Sequence, residues 1–330
     1  MNRGVIGALC TGVTLALLAG CGGSQAPIGA PGAVPQTSAI AQHVAHGKSW
    51  MLQEATHDDL LYVVDLPSDV YMYTYPGGSL VGLLRADASG GLCSDQKGDV
   101  FVIDESNSAI VEYAHGGTTP IASLNPDAEP VACSVDPRSG DLASVNKDSD
   151  SKSSISIFRK AMGKPKKYFD DGISLGLSCS YDDKGNLYAT AGTETRGFLI
   201  AELPRGSNTF TNISVDASLE GGNFLQWDGK YVAITSAAPR KPIQVLQISI
   251  SGSSGSVVNT TTLQGSVGYF KYFWIQNDAI ITPRGAGGWK ARKVGLWKYP
   301  TGGKSFNSIA LPKVKGGLAS GITVSLAPHR

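Results

Sequence analysis

Two stretches of the sequence place a cysteine just before acidic residues and a glycine: CSYDDKGNLYATAG at 179–192 and CSDQKGDVFVIDE at 93–105. A thiolate beside carboxylates would suit a metal ligand set, a redox pair or a nucleophile. A metal site needs convergent ligands, and the chain contains neither a CxxC nor a CxxH spacing. A nucleophile needs a base, and the histidines lie near the N-terminus, in a hairpin turn and at the C-terminus: His43, His46, His57, His115 and His329.

The cysteines of the main body occupy similar places in a repeated pattern. Cys133 and Cys179 each lie three residues before an aspartate that opens a glycine turn, whereas Cys93 lies two residues before its aspartate. On neighbouring strands such positions are expected to be close, yet beyond the roughly 7 Å between Cα atoms that a disulfide tolerates. We therefore predict three buried packing thiols, with a Cys133–Cys179 disulfide as the first alternative and a nucleophile as the second.

A unit of an acidic residue, a glycine turn and an alternating strand recurs along the chain. Clear copies are DQKGDVFVID at 95–104 and DDKGNLYATA at 182–191. The residues that open the strand in successive copies are 40, 42, 45, 44 and 48 positions apart. Regular spacing of this kind is typical of repeat folds. The six opening residues are Asp59, Asp99, Asp141, Asn186, Lys230 and Asp278.

A second signature, an alternating strand that ends near a tyrosine and a Gly-Gly turn, predicts hairpins. It occurs as VYMYTYPGGSLVGLL at 70–84, IVEYAHGGTTPIASL at 110–124 and VGLWKYPTGGKSFNSI at 294–309. About four short strands per repeat, repeated six times, predict an all-β fold, a six-bladed β-propeller. The last segment, 316–328, is expected to supply the innermost strand of blade 1 and so to close the ring.

The strand DVFVID and the stretch NLYATA, each after its glycine turn, resemble NHL-type six-bladed propellers. ACSVDPRSGDLA at 132–143 further resembles a group of exported bacterial propeller proteins without assigned biochemistry. The resemblance covers about residues 57–328, within a predicted propeller domain at 57–330. It implies the fold and leaves the activity open, because propellers carry many unrelated functions.

The N-terminal residues predict export. Arg3 is followed by an apolar run, VIGALCTGVTLALLAG, which is too short for a membrane-spanning helix and is typical of a signal peptide at 1–20. The stretch LAGC resembles the bacterial lipobox, which implies cleavage before Cys21 and lipidation of that cysteine; an ordinary secretory signal is the alternative. Gly22, where an aspartate would favour the inner membrane, favours the outer membrane of a Gram-negative cell. Residues 21–56 are then the lipidated cysteine and a Gly/Pro/Ala-rich tether.

Charge is distributed unevenly, although the formal net charge is only +1. Residues 279–330 contain no Asp or Glu but nine Lys or Arg residues. We predict a basic surface for an anionic envelope component or an acidic protein, with a solvated edge as the alternative. The candidate residues are Lys290, Arg292, Lys293 and Lys298.

Two further groups are candidates for ligand contacts. The aromatic run GYFKYFWIQ at 268–276 could stack on sugars, but packing between blades is favoured. Several carboxylates and amides lie near predicted strand ends, where they could bind Ca²⁺. They are Asp104, Glu105, Asn107, Asn146 and Asn223.

These observations favour a lipid-anchored binding or scaffolding module of the cell envelope without catalytic residues or a cofactor. The sequence predicts a monomer that meets the membrane through its lipid and has no nucleic-acid partner. The alternative is a metal-dependent periplasmic hydrolase or lyase of the sugar-lactone-hydrolase-like propeller type, whose metal ligands the sequence does not identify.

Overall fold

Short strands joined by tight turns make up nearly all of the regular structure in the computed structural model. The structure describes residues 48–66, 69–88, 90–148, 152–169, 175–192, 198–221, 223–238, 240–267, 272–284, 292–312 and 318–328. They all belong to one unit, His43–Arg330. Their helical segments are 3-10 turns at Gln53–His57 and Arg159–Ala161.

The first strands form an antiparallel run in the order β1-β4-β3-β2. The short strand β1 lies in the segment that the sequence assigns to the tether, and it pairs with β4. The predicted Gly-Gly turn joins β3 to β4, and Gly78 adopts a φ of 81°, where glycine avoids the clash of a Cβ. The four strands are β1 (Trp50–Met51), β2 (Leu60–Leu66), β3 (Asp69–Thr74) and β4 (Leu80–Arg85).

The next eight strands form two separate four-stranded antiparallel sheets, each in simple sequence order. The second run is β5 (Leu92–Ser94), β6 (Val100–Asp104), β7 (Ala109–Tyr113) and β8 (Pro120–Leu124). The third run is β9 (Glu129–Val135), β10 (Leu142–Lys147), β11 (Ser153–Phe158) and β12 (Lys166–Phe169).

Two more four-stranded antiparallel runs are joined into one larger sheet by a short parallel pairing between the strands β16 and β20 defined below, Ser214 opposite Ser254 and Val215 opposite Gly255. The fourth run is β13 (Leu175–Tyr181), β14 (Leu187–Gly192), β15 (Phe198–Leu203) and β16 (Thr211–Val215). The fifth run is β17 (Leu225–Trp227), β18 (Val232–Ser236), β19 (Pro242–Ser251) and β20 (Ser254–Val267).

The sixth run completes the series, and a final strand returns to the first run. Its strands are β21 (Trp274–Gln276), β22 (Ala279–Arg284), β23 (Lys293–Lys298) and β25 (Asn307–Ala310), while β24 (Gly303–Lys304) pairs with β20. The last strand, β26 (Leu318–Ser325), pairs antiparallel with β2. This pairing confirms that the C-terminal segment joins the first sheet. We call the six runs the first to sixth meanders, and β26 belongs to the first.

The repeat read from the sequence coincides with these meanders. Five of the six opening residues directly precede β2, β6, β10, β14 and β22, and Lys230 lies two residues before β18. The apolar residues fill the spaces between consecutive meanders. Phe101 of the second and Phe158 of the third, for example, share one cluster and are each no more than 1% exposed. The core is therefore a series of layers between neighbouring sheets.

A histidine connects the C-terminal strand to the second meander. The Nδ1 atom of His115 lies 2.6 Å from Ser325 Oγ, and its Nε2 atom lies 3.1 Å from the carbonyl oxygen of Asp58. Ser325 Oγ is also within hydrogen-bonding distance of the carbonyl oxygen of Gly98, and its one proton is donated either to that carbonyl or to the Nδ1 atom of a neutral His115. Three distant parts of the chain thus meet around one half-buried imidazole.

Candidate functional site

The aspartates that open the glycine turns are bonded to their own turns. Oδ1 of Asp182 accepts hydrogen bonds of 2.8 Å from the amides of Lys184 and Asn186, and its Oδ2 accepts one of 2.9 Å from the Asn186 side chain. Asp95, Asp136 and Asp228 accept the same kind of backbone bonds. These carboxylates fix the turn geometry.

Cys93 and Cys133 form a disulfide, with Cα atoms 5.7 Å apart, and Cys179 is a free, buried cysteine. The prediction of three packing thiols was therefore wrong for the first two residues. The expectation that such neighbouring positions exceed disulfide distance was also wrong. The alternative pairing of Cys133 with Cys179 does not occur.

The one-residue offset of Cys93 explains the pairing. Side chains alternate along a strand, so Cys133 and Cys179, at equivalent positions, point the same way around the series of meanders. Cys133 points back to the second meander, where its Sγ lies 3.9 Å from the carbonyl of Phe101. Cys179 likewise belongs to a cluster with residues of the third meander, and its thiol has a hydrogen bond with the backbone of Val145 there. Cys93 is displaced by one residue, so it points forward and meets Cys133.

The Cys179 thiol is not a nucleophile at neutral pH. Burial raises its pKa to about 12, although the backbone of Val145 offers a weak opposing hydrogen bond. A thiol with that pKa is almost entirely protonated in neutral solution. Its role is to fill space between the third and fourth meanders.

The position two residues before each turn aspartate links successive inner strands. The Cys93 disulfide makes this link between the second and third meanders. In the next two steps the linking atom is a serine hydroxyl that accepts a backbone N–H of the following meander. A glutamine side chain then bonds both main-chain polar groups of one residue, accepting from the N–H of Ile275 at 2.6 Å and donating to its carbonyl at 3.3 Å. The links after the disulfide are Ser134 to Tyr181, Ser180 to Trp227 and Gln226 to Ile275.

The six inner strands surround a cavity of about 180 Å³. It is lined from each meander by residues of β5, β9, β13, β17, β21 and β26. Tyr272 crosses the axis where the inner strands begin, and its hydroxyl donates a 2.6 Å hydrogen bond to the carbonyl of Val131. A Cβ on Gly91 would lie 3.0 Å from the Tyr272 ring, so the glycine leaves room for it. Burial raises the pKa of Tyr272 well above its usual value, and the hydroxyl remains a donor.

Beside the glycine turns of the second and third meanders lies a larger cavity of about 560 Å³, which we call the mouth. The mouth and the axial cavity share Ser94, Val135, Pro137 and Trp274 as wall residues. The indole of Trp274 is partly exposed, and its Nε1 donates to Gln276 Oε1 at 3.3 Å. The two cavities together form an axial well that is lined by residues far apart in sequence.

Known proteins resemble this chain in fold but not in sequence. No protein-family model and no curated protein matches the sequence. The structure is similar to a chain of a nidogen/laminin complex, with 16% identity and a TM-score of 0.66, over 82% of this chain and 100% of that one. A Bacteroides caccae protein of unknown function has 13% identity and a TM-score of 0.60, over 81% and 99%. Hydrazine synthase of Kuenenia stuttgartiensis has 11% identity and a TM-score of 0.51, over 70% of each chain.

The antiparallel meanders, their face-to-face packing and the axial cavity, together with these similarities, decide the architecture. The fold is a β-propeller. Identities this low carry the fold and no activity.

The predicted basic residues occupy two places on the propeller. Arg292 and Lys293 are exposed where β23 begins, and Lys298 is exposed where β23 ends. Lys293 and Lys298 are five positions apart along the strand, which places them roughly 16 Å from each other. Within the described ranges none of the three has an ion-pair partner. Lys290 lies outside the described residues.

The predicted calcium ligands are dispersed and bonded to neighbours. Asp104 accepts two hydrogen bonds from Asn107, of 3.0 and 2.7 Å, and Lys147 lies 3.7 Å from Glu105. Asn146 is fully buried in a network of serine hydroxyls, whereas Asn223 has a buried Oδ1 without a hydrogen bond. The part of the chain that the structure describes holds no group of three or more His, Cys, Asp or Glu side chains placed to bind a metal.

Among the described residues of the aromatic run, Tyr272 and Phe273 pack inside the fold as predicted, and Trp274 is the exception. Phe273 is 6% exposed, and Tyr272 packs on Phe224 with ring centroids 4.9 Å apart. Trp274 instead lines the mouth. Tyr269 and Phe270 lie outside the described residues, as does the predicted lipidation site Cys21. No helix within the described ranges has the length and apolarity to cross a membrane.

Proposed function

We propose that this protein is a lipid-anchored propeller of the bacterial cell envelope that acts as a binding or scaffolding module. Its inner strands serve as a rigid frame, because the turn aspartates and the linking side chains are engaged in hydrogen bonds within the fold. The mouth is different, since it is open and lined by partly exposed side chains. That open mouth on a closed frame is the observation that supports a binding role.

We also propose that each meander is one blade, which gives six blades. The fourth and fifth meanders share a sheet only through two parallel residue pairs, while each is a complete antiparallel run by itself. The repeat spacing in the sequence supports the same count, as does the NHL-like pattern of the turns.

The anchor is proposed to be Cys21, with Gly22 favouring the outer membrane. LAGC supports this assignment, and the uncharged residues 22–42 provide a tether. A single acyl chain holds a protein to a membrane only reversibly. Stable anchoring takes a second acyl chain or a charged patch on the protein. Arg292 and Lys293, with Lys290, are proposed to add contact with an anionic envelope component.

Metabolic labelling with an alkyne fatty acid tests the anchor in cells of the producing bacterium. We expect label on the wild-type chain and on a Cys10→Ser variant, and none on Cys21→Ser, which should leave the membrane fraction. Label that persists in Cys21→Ser, or a wild-type chain without label, would contradict lipidation at this residue.

Site-specific photo-crosslinking in cells tests the binding role. A crosslinking residue in place of Lys160, at the mouth, is expected to give a discrete adduct, whereas the same residue in place of the exposed Lys304 is the control. Equal adducts at both positions, or none at the mouth, would argue against a partner at the axial well.

A further inference from the structure

The mouth has the size of a small-molecule site. Its volume of about 560 Å³ lies within the range of roughly 300–1,000 Å³ that is usual for ligand pockets, and the axial cavity extends it inward by about 180 Å³. Four meanders contribute to its wall, so its shape depends on the assembled fold. Tyr272 closes the axial cavity at the end away from the mouth.

Tryptophan supplies an apolar platform in this well. Trp274 is partly exposed, is held at Nε1 by Gln276, and borders both cavities. Trp227 of the fifth meander also borders the axial cavity and is stacked on Tyr188, with centroids 6.4 Å apart. A fixed, partly exposed indole beside polar groups binds ligands that have one apolar face and polar edges.

The mouth is lined by equal numbers of basic and acidic side chains. Its ionisable lining residues are three bases and three acids. The bases form no ion pair within the described residues, and the Gln276 side-chain nitrogen donates no hydrogen bond there. The lining thus has no net charge, and its basic and amide nitrogens are donors without an ion pair, whereas the Asp95 and Asp136 carboxylates already accept hydrogen bonds within their turns. The ionisable residues are Lys97, Arg138, Lys160, Asp95, Glu112 and Asp136.

We infer that the axial well binds a neutral saccharide, with one pyranose ring stacked on Trp274 and its hydroxyl groups bonded to the mouth residues. A pyranose has an apolar C–H face and hydroxyls that both donate and accept, which matches this lining. The lining has no excess of positive charge that would attract a polyanion. An apolar ligand would leave the polar side chains of the mouth without hydrogen-bond partners. The inference deepens the proposed binding function by naming its ligand class, and it rests on that function.

Saturation-transfer NMR and tryptophan fluorescence of the full-length protein test this directly. The probes are methyl glucoside, maltose, cellobiose and diacetylchitobiose, with glucose 6-phosphate and galacturonate as charged comparators. We expect at least one neutral probe to bind with a Kd of about 1 mM or tighter. The Trp274→Leu substitution should weaken that binding about tenfold, and Gln276→Ala several-fold.

Phe306→Ala is the matched control, because Phe306 is an aromatic residue of the sixth meander region that is 52% exposed and lies outside the well. It should bind as the wild type does. If Trp274→Leu does not fold by thermal melting, Gln276→Ala carries the comparison. Absence of binding by every neutral probe, equal binding by the well variants, or tighter binding of a charged comparator would overturn the inference. The label on Cys21 reports the anchor separately.

Discussion

Residue-scale chemistry in this protein is used mainly to hold the backbone. The Asp182 carboxylate accepts three hydrogen bonds from its own turn, and the stretch that begins at Cys179 is an inner strand, a turn and the next strand. A hydrogen bond to a charged group such as this carboxylate contributes about 1.5–3 kcal/mol, net of the bonds to water that it replaces.

The disulfide gives a prediction at this scale. Cys93 and Cys133 are 40 positions apart in the sequence, and the disulfide between them closes the intervening chain into a loop. Chain entropy for a loop of that length predicts that the double substitution Cys93→Ala/Cys133→Ala lowers the free energy of unfolding by about 4 kcal/mol. Denaturant unfolding measures the loss, with Cys179→Ala as the control, which should cost about 1–2 kcal/mol.

Peptide mapping of the unreduced protein checks the pairing itself. A Cys93–Cys133 peptide pair should appear, and Cys179 should react with an alkylating reagent only after unfolding, since it is buried and protonated. A Cys133–Cys179 pair, or three free thiols, would show the assignment to be wrong.

The sequence predicts some of these residues well and others poorly. Strand openings such as Asp99 and Asn186 follow from local turn chemistry, and the structure has them where the repeat predicts. The Cys93 offset carried the signal for the disulfide, but its meaning depends on which way a side chain points between two sheets. Trp274 and Pro137 share a wall only after distant meanders assemble, so no local pattern predicts the mouth.

At the element scale, strand ends decide which charges can act together. β23 separates Arg292 and Lys293 from Lys298 along its whole length. The basic segment is continuous in sequence, yet its exposed residues lie at the two ends of a strand. A flat anionic surface can therefore contact the first pair without contacting Lys298.

Vesicle binding tests this separation. In a Cys21→Ser background, binding to vesicles containing phosphatidylglycerol should weaken at least tenfold for Arg292→Glu/Lys293→Glu, because each basic residue contributes about 1 kcal/mol near such a surface. Lys298→Glu should have a much smaller effect, and added salt should weaken wild-type binding. Binding that does not weaken with added salt, or equal effects of the two variants, would contradict an anion-binding surface. These basic residues would then be only a solvated edge of the propeller.

The contact between β26 and the second meander also predicts a pH dependence. Burial lowers the pKa of His115 in the fold, although the Asp58 carbonyl and the charge of Asp59 oppose the shift. The unfolded chain then binds the proton more readily, so the stability contributed by neutral His115 is complete above its unfolded pKa and is lost as pH falls from that value to the lower folded pKa. Other groups, such as Glu112, titrate too, so the comparison must be between two chains.

We expect the free energy of unfolding of the wild type to fall more between neutral and mildly acidic pH than that of His115→Gln. Gln can still donate a hydrogen bond toward the Asp58 carbonyl but does not titrate. Chemical denaturation across this pH interval measures both. Parallel pH profiles for the two proteins would show that His115 does not sense pH at this contact.

At the scale of the whole molecule, the propeller is held together by contacts between the first and last parts of the described chain. β2 is flanked by β26 on one side and by β3 on the other. Tyr62, Val63, Ile322 and Thr323 are each no more than 1% exposed in this region. Without β26, β2 would present an unpaired edge and the axial well would lose part of its wall.

Hydrogen exchange followed by mass spectrometry tests this closed architecture most directly. Peptides that cover β26 should be protected as strongly as those of β2 and β6, and all three should exchange together when the protein unfolds globally. The first and last strands then form one cooperative unit, as the axial well requires. Rapid exchange of residues 318–325, with β2 and β6 still protected, would contradict the closed propeller.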